Sequence, residues 1–368
     1  MIKKYCIAFG ALAFLLVPSA QAAYHFESFI GKPPIHIFRA AQKLPAGLTP
    51  AEVKRIYHLP ASGGSGTIAI VDAYDDANIE SDLNYFNDHY GIAQCTVKDG
   101  CFEKHKMGTS MGTNAGWAIE ESLDVEWAHA IAPQAKILLI EAVTPSGQNL
   151  LNAIDYAASR SDVIAISISW GGAEFPEEIS LDSHFTSVAG AVFFASSGDG
   201  GAGVSWPAAS PKVIGVGGTS LELFQNGNFI SESAWSGSGG GASAYEPEPD
   251  YQRTYDISRA KGHRAVPDVA YNADPHSGYS VYRTVGNSKN GWYTVGGTSA
   301  GAPQWAAIQA LGHSVSSNAL YADKASMSTL SFFRDITSGS NGTCKYYCNA
   351  RKRYDYVTGL GSPQTIMF

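Results

Sequence analysis

Short apolar runs alternate with amphipathic segments along the middle of the chain. The pattern predicts buried strands at 67–72, 136–141, 163–169, 191–195 and 213–216, and helices at 49–57, 79–90, 117–130, 150–160, 180–189 and 299–311. Apolar strands that alternate with helices are typical of a mostly parallel sheet covered by helices on both faces. We therefore predict a three-layer α/β fold, in which an active site would lie at the carboxyl ends of the strands.

The first 22 residues have the features of an export signal. Lys3 and Lys4 precede an apolar run at 5–17, and Ala20-Gln21-Ala22 is a small-x-small cleavage site. The run is short for a membrane span, and no later run approaches that length. We expect a signal peptide at 1–22 and a secreted protein, extracellular or periplasmic, that is free of the membrane after cleavage.

Composition and charge narrow the possible partners. The chain has 368 residues, of which 45% are hydrophobic and 16% charged, so a wholly disordered chain is excluded. The formal net charge of −8 argues against a nucleic-acid-binding surface, because phosphate backbones require positive charge. A monomer is the default expectation.

Four cysteines remain once Cys6 is removed with the signal peptide. They form two close pairs, Cys95 with Cys101 and Cys344 with Cys348. An exported protein meets an oxidising environment, which favours disulfides. Of the three possible connectivities, we expect the one in which each cysteine bonds to its neighbour in sequence. Zinc binding is the alternative, but no histidines stand at ligand spacing beside these pairs.

A serine that opens an apolar helix is the first candidate for chemistry. Ser299 lies in Gly296-Gly-Thr-Ser-Ala-Gly-Ala-Pro303, where backbone N–H groups and the helix dipole could stabilise an oxyanion. An ordinary N-cap serine is the alternative. A nucleophilic serine also needs a base, and histidine is the usual one. No histidine in the sequence lies in a motif that is typical of a catalytic base. His129 lies on an apolar helix and is expected to be packed there.

Carboxyl groups are the alternative base. Glu120 and Asp124 stand four residues apart on one face of the predicted helix at 117–130, where paired carboxylates would share a proton. A solvated acidic face is the other interpretation. Glu121 and Glu126 point elsewhere and are expected at the surface. Asp199, in a Gly-rich turn directly after a strand, is either a site residue or a turn aspartate.

Together these segments resemble the sedolisins, the serine-carboxyl peptidases, which share the fold of the subtilisins. The family pattern is Glu-x-x-x-Asp, Ser-Gly-Asp and Gly-Thr-Ser-x-x-x-Pro, matched here by Glu120 to Asp124, 197–199 and 297–303. The resemblance covers about 85% of the chain, from 48 to the C-terminus. It implies a peptidase domain at 48–368 after a short extension at 23–47, and protein or peptide substrates.

The resemblance also assigns roles. Ser299 would be the nucleophile, Glu120 the general base and acid, Asp124 its proton-sharing partner, and Asp199 the oxyanion-hole residue. An aspartate donates a hydrogen bond only when it is protonated, so an acidic optimum is expected. Asp72, where subtilisins carry their triad aspartate, is expected to be structural. The strand-end segment with Ser167, Ser169, Trp170 and Gly171 is expected to bind substrate backbone.

A calcium ion is implied near the C-terminus. The family pattern of ligands falls on Asp335, Ile336, Arg351, Arg353 and Asp355. Arginines stand at two positions where the family has glycines, and their backbone carbonyls could still bind the ion if the conformation allows it.

The sequence bears on the form of the enzyme and on the reaction that it would catalyse. Only about 25 residues separate the signal peptide from the domain, so we expect a short form without the family's usual propeptide domain. A secreted acid endopeptidase is the leading hypothesis. A tripeptidyl-type exopeptidase, a Ser-His-Asp peptidase and an inactive peptide-binding protein on the same fold are the alternatives.

Overall fold

The computed structural model describes residues 25–284, 290–322 and 332–364. The predicted signal peptide lies outside the described residues. The helices are α1 Pro50–Ile56, α2 Ile79–Tyr90, α3 Ala115–Ile131, α4 Gly147–Ser159, α5 Glu178–Leu181, α6 Asp250–Tyr255, α7 Gly301–Ala310 and α8 Ser317–Ala322. The strands are β1 His36–Gln42, β2 Thr67–Ala73, β3 Phe102–Lys106, β4 Lys136–Ala142, β5 Val163–Ile168, β6 Gly172–Ala173, β7 Val192–Ser196, β8 Ser205–Trp206, β9 Val213–Leu223, β10 Phe229–Ala234, β11 Gly241–Pro247, β12 His263–Val266, β13 Val269–Asn272, β14 Tyr279–Arg283, β15 Gly291–Gly296, β16 Phe333–Arg334 and β17 Ser362–Pro363.

An eight-stranded sheet forms the centre of the molecule. Its strand order is β10-β9-β7-β5-β2-β4-β3, and β13 also pairs with β9. All of these pairings are parallel except that of β10 with β9. The central strands are apolar along their length because both faces of the sheet are covered.

Alternation along β2 divides the core between the two faces. Ile68 and Ile70 belong to one buried cluster, with residues of α2, α3 and α7, while Ala69 and Val71 belong to a second cluster, with residues of α4. Successive side chains of a strand point to opposite faces, so the sheet is the middle of three layers. The predicted three-layer α/β fold is confirmed.

Helix α3 begins where a cap is available and is buried on every side. The side chain of Asn114 accepts hydrogen bonds from the N–H groups of Gly116 and Trp117, at 2.9 and 3.2 Å. The helix packs against α2, α7, β2, β4 and β14, which leaves no solvent side. The prediction that Glu121 and Glu126 lie at the surface is therefore wrong, since both are buried.

The helix predicted at 180–189 is wrong over most of its length. The structure has α5 and one 3₁₀ turn, Asp182–His184. The chain leaves the helical path at Phe185, which is buried against Phe193 and Trp206. Burial of this ring outweighs the local helical preference.

Three further features complete the fold of the described residues. β1 pairs antiparallel with β15, so part of the N-terminal extension is built into a second sheet of order β1-β15-β14. Disulfides join Cys95 to Cys101 and Cys344 to Cys348, which is the local connectivity. Within the described ranges, every helix is too short or too polar to cross a membrane.

Candidate active site

The nucleophile candidate Ser299 lies directly between a strand and a helix. β15 ends at Gly296, Gly297 has a φ of 135°, and one 3₁₀ turn, Thr298–Ala300, leads into α7. An L side chain rarely adopts the φ of Gly297, so a glycine is required for this turn. The turn places Ser299, itself buried, at the carboxyl edge of the central sheet.

Helix α3 presents Glu120 and Asp124 to this serine. The two residues are one turn apart and fully buried. The side chain of Glu120 interacts with those of Ser299 and Asp124, and Asp124 also interacts with Ser169. Within the described residues, none of the four carboxyl oxygens has a hydrogen bond of ordinary geometry. Two carboxyl groups in contact are stable only if a proton lies between them.

Burial dominates the electrostatics of this pair. Desolvation raises the pKa of Glu120 well above its usual range, and the nearby charge of Asp72 raises it further. Burial and then the charge of Glu120 raise the pKa of Asp124 in the same way. The pair therefore holds a shared proton more tightly than an ordinary carboxyl group does, and it titrates as a unit.

Asp72 belongs to the same group of acids. It is fully buried on β2, and burial followed by the charges of Asp124 and Glu141 raises its pKa. Burial also raises the pKa of Glu121, next to the charge of Asp72. Asp72 thus influences the candidate base electrostatically, in addition to the structural role expected from the sequence.

Asp199 follows β7 and is held from one side by Thr298. Its Oδ1 accepts hydrogen bonds from the N–H and the hydroxyl of Thr298, both at 2.8 Å. The N–H of Gly198 donates to the same hydroxyl at 3.0 Å. The other oxygen, Oδ2, lies 3.1 Å from Nε2 of His36. Burial raises the pKa of Asp199, although the bonds to His36 and Thr298 act in the opposite direction.

The four residues predicted to bind substrate have different surroundings in the structure. Gly171 forms an antiparallel bridge with Lys32, at the edge of the cleft. Trp170 is buried and donates from its ring N–H to the carbonyl of Val71 at 2.9 Å. Ser169 donates to the carbonyl of Ser299 at 3.3 Å. Ser167 is buried inside β5, away from the cleft surface.

The sequence motifs did not reveal three residues of the site. Lys32 bridges Gly171, the carbonyl of Pro34 accepts a hydrogen bond from Ser299 Oγ at 3.0 Å, and His36 contacts Asp199. All three precede the predicted peptidase domain. The one available signal was Lys32-Pro33-Pro34, which predicts an extended backbone.

The predicted calcium ligands converge on one loop. The N–H of Arg353 donates to Asp335 Oδ2 and that of Arg351 to Asp355 Oδ2, each at 3.0 Å. Arg353 has a φ of 66°, so it keeps the left-handed conformation that favours glycine. Burial raises the pKa of Asp355 to about 6. Carboxyl groups and backbone carbonyls are oxygen ligands of the type that calcium prefers, so the donor types of this loop fit a calcium ion.

Another group of possible metal ligands fits less well. Cys95, Cys101 and His129 lie close together, but both sulfur atoms are in a disulfide and no thiolate is available. His129 is buried, as expected, with Nε2 3.0 Å from the carbonyl oxygen of Ala93.

The sequence matches the subtilase family (Peptidase S8) over residues 80–330, more than half of the chain. This chain belongs to the subtilase family. The match includes Glu120, Asp124, Asp199 and Ser299, whose side chains meet in the candidate site.

Relatives of this subtilase agree with the resemblance found in the motifs. Sedolisin of Pseudomonas sp. (strain 101) is 29% identical over 88% of this chain and 61% of its own length. Kumamolisin of Bacillus sp. (strain MN-32) is 33% identical over 88% of this chain and 63% of its own. The predicted membership of the sedolisin group is confirmed. The chain spans about three fifths of the length of these two curated relatives.

Solved structures support the same fold. Pseudomonas sedolisin complexed with two molecules of pseudo-iodotyrostatin superposes with a TM-score of 0.74 and 26% identity, over 87% of this chain and 96% of that one. Sphericase, at 22% identity and a TM-score of 0.56, is similar in fold over 89% of this chain and all of its own.

Proposed function

We propose that this chain is a secreted serine-carboxyl endopeptidase that hydrolyses peptide bonds of proteins or peptides in acid, as a monomer. The observation that carries the proposal is the contact of the Ser299 hydroxyl with the buried carboxyl group of Glu120, which is paired with buried Asp124, while Asp199 is bonded to the adjacent Thr298. A serine needs a base and an oxyanion stabiliser, and these acids are the groups beside it that could serve.

In the proposed reaction, Ser299 Oγ attacks the carbonyl carbon of the substrate while Glu120 accepts its proton. Glu120 then donates that proton to the leaving amine, which leaves an ester on Ser299 that water hydrolyses by the reverse transfers. Asp124, in contact with Ser169, holds the shared proton and orients Glu120. Because the pair carries one proton on Asp124, Glu120 stays free to act as a base.

Asp199 would stabilise the oxyanion together with the N–H of Ser299. Its Oδ1 is occupied by Thr298, so a proton on Oδ2 is the group that can donate. Burial raises the pKa of Asp199, which favours that protonated form in mild acid. The proposal therefore includes loss of activity as the pH rises and Asp199 ionises.

The shape of the cleft supports endopeptidase over tripeptidyl exopeptidase activity. Continuous backbone runs past Ser299 from Lys32 to His36, so the cleft accommodates chain on both sides of the nucleophile. A tripeptidyl peptidase would instead need a group that binds a substrate amine three residues away.

Replacing the nucleophile tests the proposal. Ser299→Ala should lower kcat on a fluorogenic peptide at pH 4.5 by about 10⁴-fold or more, because it removes the hydroxyl beside Glu120 that would form the ester. Ser231→Ala, at an exposed serine on β10, is the matched control and should retain activity. Retention by Ser299→Ala of a tenth of the wild-type rate would contradict the assignment.

We also propose one structural calcium ion, held by the carboxylates of Asp335 and Asp355 and the carbonyls of Ile336, Arg351 and Arg353. The ion would contribute folding energy and take no part in the reaction. EGTA should lower the Tm of the wild type at pH 6, and added Ca²⁺ should restore it. Asp335→Asn should remove this response. A wild-type Tm that is the same in EGTA and in Ca²⁺ would contradict the site.

A further inference from the structure

Two segments rich in positive charge lie side by side in the C-terminal third of the chain. Residues 258–263 and 345–353, here called the basic face, contribute six exposed cations: Arg259, Lys261, Lys345, Arg351, Lys352 and Arg353. The segments touch, since the hydroxyl of Tyr347 donates to the carbonyl of Arg259 at 3.1 Å. Such a cluster differs in sign from the whole chain, whose formal net charge is −8.

One tyrosine ring brings cations of the two segments together. The guanidinium carbon of Arg259 lies 3.9 Å from the ring centroid of Tyr346, and that of Arg351 lies 4.3 Å from it. Both contacts are cation–π interactions, which offset the repulsion between two like charges at one ring. The disulfide between Cys344 and Cys348 fixes the same segment. The two segments therefore present their charges on a common surface.

Four of the cations have a backbone conformation that favours glycine. The φ angle is 68° in Arg259, 56° in Lys261, 57° in Lys345 and 66° in Arg353. Within the described ranges eight non-glycine residues have a positive φ, and half of them are these cations. An L side chain is strained in this region, whereas glycine is not. Exposed charges that are kept on a strained backbone point to a use for the charge rather than to a need of the fold.

The six cations are not neutralised by carboxylate partners. Among the residues that the structure describes, none of their side chains forms an ion pair. Asp335 and Asp355 accept backbone N–H groups of the second segment instead, and both belong to the proposed calcium site.

Two more acids lie at the margin of the basic face. The N–H of Glu248 donates to the carbonyl of Gly262 at 2.9 Å, next to the first segment. Asp256 lines a depression of about 170 Å³ together with Lys352 and Arg353. The six cations outnumber the four acids, and a calcium ion at the proposed site would neutralise two of those acids. The face is therefore positive.

The surroundings of the cations favour a polysaccharide partner over a membrane or a nucleic acid. Both segments are fully described and have no large exposed apolar side chain of the kind that peripheral membrane surfaces insert among lipids. The ring of Tyr346 carries a guanidinium from each segment, so it is not free to stack on a base. Sulfate esters stay ionised in acid, where carboxylates with a pKa near 4 gain protons. This preference for sulfate rests on the proposed function in acid.

We propose that the basic face binds a sulfated polysaccharide and holds the chain on such a polymer. Sulfate groups would pair with cations of both segments, and the depression beside Lys352 and Arg353 would take one of them. These residues are separate from those of the candidate active site. The binding would therefore determine where the proposed peptidase acts rather than how it cuts.

Heparin is the probe, and two pairs of substitutions separate the basic face from overall charge. Lys261→Gly with Lys345→Gly removes two cations and suits the left-handed backbone, so this variant should stay folded. Lys98→Gln with Lys136→Gln removes the same charge from exposed lysines elsewhere and is the matched control. At pH 5 in 0.1 M NaCl, the first pair should weaken heparin binding about tenfold or more and the control pair less than about twofold. Similar losses in both pairs, or no binding by the wild type, would overturn the proposal.

Salt dependence and competing polyanions complete the test. The slope of log Kd against log salt concentration should become shallower by about one to two in the variant with Lys261→Gly and Lys345→Gly, because fewer counterions are released. Anionic lipid vesicles, single-stranded DNA and hyaluronate, which carries carboxylates alone, should each bind the wild type more weakly than heparin. Equal or tighter binding of any of the three would overturn the assigned partner. Peptide hydrolysis is measured on the same preparations, and its absence would reject the proposed peptidase while the heparin result would stand.

Discussion

The two oxygens of Asp199 have different roles in this site. Its Oδ1 is fixed by two hydrogen bonds from Thr298, while its Oδ2 faces the cleft and His36. The fixed oxygen must be an acceptor, and the free one must carry a proton if it is to stabilise an oxyanion. An asparagine meets both demands at every pH, because its amide donates without titrating.

Replacing Asp199 by asparagine separates the hydrogen-bond donor from its titration. Asp199→Asn should move the alkaline limb of the kcat/KM–pH profile at least one pH unit higher, since the donor is no longer lost by ionisation. Profiles between pH 3 and 8 measure the shift. Asp199→Ala, which removes the donor altogether, should lower kcat about 10²–10³-fold. An alkaline limb that stays in place in Asp199→Asn would show that another group sets it.

At the scale of elements, α3 determines where Glu120 and Asp124 stand. The helix is buried all round, and Glu126 ties it to β14 by accepting the N–H of Tyr282 at 3.1 Å. The start of the helix depends on one polar cap, Asn114, which satisfies two N–H groups that would otherwise lack partners.

Removing the cap should loosen the first turn of α3. Asn114→Ala is expected to lower the free energy of unfolding by about 1 kcal/mol and the Tm by about 1–2 °C. Asn114→Asp, which keeps a side-chain acceptor and adds a favourable charge at the helix N-terminus, should remain within about 0.5 °C of the wild type. Thermal unfolding by circular dichroism provides the measurement. Equal losses in both variants would show that the cap is not the cause.

Whether an element can be predicted from the sequence depends on what surrounds it in the fold. The strands β2, β4 and β5 and the helix α2 were predictable, because a run of apolar residues at a fixed period reports local burial. The segment at 180–189 was not, since Phe185 packs on Phe193 and Trp206 from distant parts of the chain.

For the whole molecule, the distinctive property is the number of buried acids. Glu120, Glu121, Asp124, Glu126, Asp72, Glu141, Glu178 and Glu246 are all buried. Burial raises the pKa of Glu141 to about 7, of Glu246 to about 8 and of Glu178 to about 9. Each of these groups binds its proton more tightly in the folded chain than in the unfolded chain, where a carboxyl pKa is about 4.

The sign of the pH dependence follows from linkage. A carboxyl group with a raised folded pKa contributes most below the unfolded value near 4 and loses that contribution as the pH rises through the folded pKa. We expect the Tm to be at least about 5 °C higher at pH 5 than at pH 8. Glu178→Gln, which stays neutral at every pH, should flatten this slope. A Tm that falls from pH 8 to pH 5 would contradict the prediction.

The order of apolar strands and helices determined the fold class, because periodicity in a single segment records which of its faces is buried. Three short motifs likewise indicated Glu120, Asp124, Asp199 and Ser299, since paired acids on one helix face, an acid after a strand and a serine at a helix start each suit the chemistry of an active site. Tertiary structure decided the rest. Glu121 and Glu126 are buried because helices and strands cover α3 on all sides. Lys32, Pro34 and His36 reach the site because their segment pairs with Gly171 and continues into β1, which pairs with β15. Contacts between residues far apart in sequence leave no periodic trace in either segment, so only the folded chain reveals that its own N-terminal backbone lies on the nucleophile.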